Sequence, residues 1–178
     1  MTDPKNSHFS PNPIDVDAPG RKRLPPLLRR AWYSLNQAFR RRIGHTGVTP
    51  DQFTVLRTLM EGDGRGMTQR EVGELMSSDP NTIASLLERM EAAGLLKREE
   101  HEADARAHRI QVLPAGRSKY VELRNIAIAL QTEVLASLPE EGRESFLTHL
   151  AKVADACRAA ADASPKTRRP RKRSVSDI

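Results

Sequence analysis

Near the middle of the sequence, Asn81, Thr82, Ser85 and Arg89 recur at spacings that a helix would gather onto one side. The first three are short hydrogen-bonding side chains of the size that reaches base edges or phosphates. Asn can pair bidentately with adenine, and the Thr methyl can meet the methyl of thymine. Arg89, two turns on, can reach a phosphate. Upstream, Thr68 and Gln69 open another helical segment, whose N–H groups suit a phosphate. Downstream, Asp104-Ala105-Arg106 sets a planar cation in a polar loop, a group that fits a narrow minor groove. Together these residues imply double-stranded DNA as a partner. The plainer alternative is an ordinary exposed helix face at Asn81, Thr82 and Ser85, with Arg106 a solvated loop cation.

Other chemistries find little support. No nucleophile–base pairing, paired acid site or phosphate loop is visible, so an enzyme is the weakest reading. The five histidines show neither an i,i+4 pair nor an HExxH pattern, so no metal site and no cofactor is expected.

The elements that must position these residues can be read from punctuation and period. Thr68-Gln69-Arg70-Glu71 is a capping box, opening a short helix buried through Val72, Leu75 and Met76. Ser77-Ser78 makes the turn. Asp79-Pro80 supplies an N-cap and a first-position proline for the helix that carries Asn81, and its apolar side is Ile83, Leu86, Leu87 and Met90. Gly94 stops it. Leu95 to Glu99 and His108 to Leu113 read as two short strands joined by a charged tip. This is a helix-turn-helix followed by a hairpin wing.

Helices flank this unit. An apolar stripe from Leu24 through Leu28, Ala31, Leu35 and Phe39 precedes it, and Thr49-Pro50-Asp51-Gln52 opens a second helix with another capping box. A long helix follows Pro114-Ala115-Gly116, with Tyr120, Leu123, Ala127, Leu130 and Val134 on one side. The last helix, from about Glu140 to Ala163, is striped by Phe146, Leu150, Val153 and Cys157, and Cys157 is expected to be a buried small hydrophobe. The fold class is therefore mainly α with a small β-hairpin wing. Stripes of this size are rarely left bare on a monomer, so a homodimer is expected. Trp32 and Tyr33 are expected at that interface. A ligand pocket between the first helix and the reading unit is the other place for them.

The ends differ in composition. Residues 1–23 hold four prolines and end in Arg21-Lys22-Arg23, which reads as a disordered arm. Residues 164–178 hold six basic side chains and one acid, so this tail carries +5 of the formal net charge of +6. It reads either as a solubilising end or as a sequence-independent phosphate binder. One cysteine excludes an internal disulfide framework. No apolar run approaches the roughly 20 residues of a membrane helix, and no signal-peptide core is present. A cytoplasmic location with no membrane partner is the expectation.

The run from Gly47 to Lys119 resembles the MarR family of winged helix-turn-helix regulators. The likeness rests on Gly47-Val48-Thr49-Pro50-Asp51-Gln52-Phe53, Met67-Thr68-Gln69-Arg70-Glu71-Val72, Asn81 through Glu91, Gly94-Leu95-Leu96-Lys97-Arg98, and Asp104-Ala105-Arg106 leading to Leu113-Pro114-Ala115-Gly116. It implies a homodimer, a recognition helix from Asp79 to Ala92, and a wing whose Arg106 enters the minor groove while Asp104 steadies it. It also implies that a small ligand, often phenolic or otherwise aromatic, releases the DNA. The oxidation-sensing branch of the family keeps its cysteine near the first helix, whereas Cys157 lies in the last.

The expected layout is a helical dimerisation region in 24–48 and 114–163 around a DNA-binding domain in 49–113. The expected function is a ligand-responsive repressor acting on a pseudo-palindromic operator. The reading from another class is a winged-helix interaction or nucleoid-architecture module without specific operator readout.

Overall fold

A computed structural model describes residues 20–62, 64–101 and 104–164, without the side chains of 100, 101 and 104–108. The expected N-terminal arm up to residue 19 and the basic tail beyond Ser164 lie outside the described residues.

Local signals account for most of the helix ends. Helix α1 (Leu24–Ile43) carries proline in its first turn and Arg40, Arg41 and Arg42 in its last. Proline is tolerated there because first-turn N–H groups have no intrahelical partner, and the cations face the negative end of the helix dipole. Helix α2 (Pro50–Glu61) is closed by a reciprocal cap. The Gln52 side chain accepts from the Thr49 N–H at 2.8 Å, and Thr49 Oγ1 accepts from the Gln52 N–H at 3.3 Å. A two-residue strand, β1 (Met67–Thr68), leads directly into helix α3 (Gln69–Leu75). Helix α4 (Pro80–Ala92) follows a tight turn in which Ser77 adopts φ 50°. Strands β2 (Leu96–His101) and β3 (Asp104–Val112) form the hairpin, and helices α5 (Pro114–Leu135) and α6 (Glu140–Ala163) complete the described chain.

The sheet is antiparallel with strand order β1-β3-β2. Leu96 pairs with Val112 and Glu99 with Arg109, while Met67 pairs with Ile110 on the other side of β3. The sequence reading has two strands here; the third, β1, is too short to show an alternating pattern. The hairpin is also longer than read, because both strands run on toward the charged tip.

The chain divides into two compact units, Met1–Leu130 and Gln131–Ile178, with the boundary inside α5. In the first, Ile43, Leu56, Val72, Ile83, Leu87 and Leu123 are among the fully buried side chains. Each such burial contributes roughly 1.5–3 kcal/mol. Phe53 lies between two rings, 5.1 Å from Phe39 and 6.2 Å from Tyr120, and so joins α1, α2 and α5. Leu75, expected in the core, is 53% exposed. The side of α3 turned to α4 is that of the buried Gly73, where Ile83 Cγ1 lies 3.6 Å from the position a Cβ would take.

Much of α1 and α5 is left uncovered by the described residues. Trp32, Tyr33 and Leu35 are exposed on α1, and Val121 and Ile128 on α5. Helix α6, in the second unit, has no fully buried side chain. Cys157 is exposed, contrary to expectation, because no described residue covers the apolar stripe that includes it.

Candidate nucleic-acid interface

The helix-turn-helix is built from α3, its turn and α4. Burial of Ile83, Leu86, Leu87 and Met90 fixes one side of α4 in the core, which leaves Asn81, Thr82, Ser85 and Arg89 exposed. The grouping read from spacing is therefore present. The four side chains differ in what they are already doing.

Asp79 caps α4 with one carboxylate oxygen, which accepts from the N–H groups of Asn81 at 3.1 Å and Thr82 at 3.0 Å. Its other oxygen accepts the Thr82 hydroxyl proton at 2.5 Å. These hydrogen bonds, the hydroxyl first, hold the Asp79 carboxyl below its ordinary range. Arg89 folds back along its own helix, with Nε donating to the Ser85 carbonyl at 3.1 Å. The Asn81 carboxamide and the Ser85 hydroxyl have no hydrogen-bond partner among the described residues.

The start of α3 is more occupied than the sequence suggests. The Thr68 N–H donates to Glu71 Oε2 at 2.7 Å, and the Glu71 N–H donates to Thr68 Oγ1 at 3.3 Å. The capping box thus takes two of the N–H groups that were expected to be open to a phosphate. Gln69 instead reaches across to α4, where Nε2 donates to the Pro80 carbonyl at 3.4 Å. This links the starts of the two helices.

Two residues not singled out from the sequence brace the hairpin. Arg98 lies against α4: its backbone N–H donates to Glu91 Oε1 at 3.0 Å, and Nη2 donates to the Ala84 carbonyl at 3.4 Å. Glu91 Oε2 stands 3.5 Å from Arg98 Nε. Arg109 clamps the loop before β1, with Nη1 donating to the carbonyls of Arg65 at 3.1 Å and Gly66 at 2.9 Å. Nothing in local spacing signals either contact, since each joins segments brought together only by the fold. The wing side chains Asp104 and Arg106 lie outside the described residues, although both positions are on β3.

Trp32 and Tyr33 are 65% and 60% exposed, and neither lines the described cleft, which is bordered by Met60, Gly66, Gln111 and Arg117. Among the described residues no group of three or more His, Cys, Asp or Glu could hold a metal ion. Nor is any described helix long and apolar enough to cross a membrane.

The same segment is what known proteins share with this chain. The MarR family model matches residues 46–107. A probable transcriptional regulator from Pseudomonas aeruginosa is 30% identical, with a TM-score of 0.63 over 71% of this chain and 93% of that one. The chain belongs to the MarR family.

Membership brings a family of transcriptional regulators rather than enzymes. Among curated relatives, the transcriptional regulator HosA of Escherichia coli O127:H6 is 28% identical over 135 residues, spanning 71% of this chain and 96% of HosA. The solved structure of Bordetella bronchiseptica BpsR, whose DNA binding is regulated by 6-hydroxynicotinic acid, is 26% identical. Its TM-score is 0.68, covering 75% of this chain and 94% of BpsR. The three-stranded sheet and helical frame described above are the MarR winged-helix arrangement.

Proposed function

We propose that this MarR-family regulator is a ligand-responsive repressor that binds a pseudo-palindromic operator as a homodimer, with half-sites about one helical turn apart. The observation that carries this reading is the exposed face of α4. Asn81 and Ser85 lie one turn apart with their polar groups uncommitted, on a helix whose opposite side is anchored in the core. That arrangement suits a recognition helix in a major groove. In this reading Asn81, Thr82, Ser85 and Arg89 contact DNA, Thr68 and Gln69 set the start of the supporting helix beside the backbone, and Arg106, steadied by Asp104, enters the minor groove.

The exposed apolar side chains of α1, α5 and α6 support the dimer. Residues 24–48 and 114–163 would supply its interface, and residues 49–113 the DNA-binding domain. BpsR, regulated by 6-hydroxynicotinic acid, supports a small aromatic effector, for which Trp32 and Tyr33 offer flat apolar surface. A DNA partner supports a cytoplasmic location.

The deciding experiment measures affinity for DNA enriched from a random duplex library against affinity for unselected DNA at fixed salt. A specific regulator gives a ratio on the order of 10³ or more. A ratio near one would leave a winged-helix module without operator readout. Sedimentation of the free protein tests the dimer in the same preparation.

A further inference from the structure

Of the three short polar side chains on the candidate reading face, Asn81, Thr82 and Ser85, only Thr82 has its hydrogen-bonding proton already committed. Its hydroxyl donates to Asp79 Oδ2 at 2.5 Å, while its own N–H is held by Asp79 Oδ1. A threonine in a helix divides between two χ1 rotamers, because its hydroxyl can bond a preceding carbonyl. The carboxylate behind Thr82 selects one of them. With the proton spent there, Thr82 cannot donate to N7 or O6 of guanine, N7 of adenine or O4 of thymine, which are the acceptors of the major groove. It keeps its oxygen lone pairs, which can accept only from the amino groups of adenine and cytosine, and its methyl, which is the one group it can then offer to a thymine.

Asn81 and Ser85 contrast with it. Both are exposed, and their side-chain polar groups make no hydrogen bond among the described residues. The face therefore offers two side chains with free donors and, next to them, one whose donor is taken and whose methyl is exposed. The apolar group on a major-groove base edge is the C5 methyl of thymine.

We infer that Thr82 is a specificity-determining residue that reads a 5-methyl group, so that the DNA preferred by this chain carries a thymine facing Thr82 in each half-site. The inference rests on α4 being the recognition helix, and goes beyond that reading by naming the base feature and the residue that selects it.

The test uses the full chain and a duplex enriched from a random library. Each thymine of that duplex is replaced in turn by uracil, which removes only the methyl. The expected result is one thymine per half-site at which uracil weakens binding about fourfold, the scale of one buried methyl group, with other positions unaffected. Thr82→Val keeps the methyl and deletes the hydroxyl, and should preserve that discrimination. Thr82→Ser keeps the hydroxyl and deletes the methyl, and should bind the thymine and uracil duplexes alike. Thr82 is exposed, so both variants should fold, and their melting profiles check this.

Indifference to uracil at every position would overturn the inference while leaving the regulator reading intact. So would loss of the discrimination in Thr82→Val, since the hydroxyl oxygen would then be the reader. Failure to enrich any sequence would overturn the regulator reading itself, and the inference with it.

Discussion

Arg109 Nη1 sits 2.9 Å from the carbonyl oxygen of Gly66, so a strand of the wing holds the glycine loop that leads into the helix-turn-helix. Gly66 takes φ +76°, and a Cβ there would stand 2.7 Å from the Ile110 carbonyl. The loop can thus lie against β3 only with glycine at this position. Arg109→Ala should lower unfolding stability by about 1.5–3 kcal/mol, the range for hydrogen bonds to a charged donor. Urea denaturation reads this directly, and an unchanged midpoint would show that the clamp contributes nothing.

Gly116 is the sharper packing constraint. A Cβ built on it falls 2.1 Å from the Leu95 carbonyl oxygen and 2.8 Å from Val112 Cγ1. The start of α5 must shift to accept any side chain. Gly116→Ala is expected to destabilise by about 1–3 kcal/mol or more, as overpacking does. A melting temperature equal to the parent's would refute that close approach.

Asp79 predicts a dependence on pH. Hydrogen bonds from the Thr82 hydroxyl and from backbone N–H groups lower its folded-state pKa below the ordinary 3.8. Such a group stabilises fully above its unfolded value, and the contribution is lost as pH falls through the depressed folded value. Asp79→Asn keeps a capping oxygen but has no titrating carboxyl. Its melting temperature should therefore fall less than the parent's between pH 5 and about 2.5. Parallel curves for the two proteins would remove Asp79 from the acid response.

Arg106 and the basic tail should separate on salt. Arg106→Ala should weaken operator binding by about 1–3 kcal/mol if it makes a specific contact, with the dimer unchanged. Deleting residues 164–178 should instead reduce the slope of log affinity against log salt, by about 0.9 for each phosphate neutralised. Unaltered operator affinity in the first variant sinks the wing assignment, and an unaltered slope in the second makes the tail passive.

The capping boxes at Thr49 and Thr68, the Asp79 cap and the buried side of α4 were all legible in the sequence. They depend on residues three or four apart along one helix, where local geometry leaves few options. Strand β1 was not legible, because two residues carry no period. Nor was the exposure of Leu75, because α3 meets α4 through Gly73 and only the crossing of the two helices decides which side is inward.

By itself the sequence determined where helices begin and end, which side of α4 is apolar, and that Asn81, Thr82, Ser85 and Arg89 share the other side. The folded chain decided how those four differ. Side-chain rotamers within α4 and its cap put the Thr82 hydroxyl on Asp79 and Arg89 on Ser85, and the tertiary structure set Arg98 across from Glu91 and Ala84. Period and spacing report which residues can face outward. Whether a facing group still has a proton or lone pair to offer depends on rotamers and on partners from other segments, which only the folded chain brings within 3 Å or so of each other.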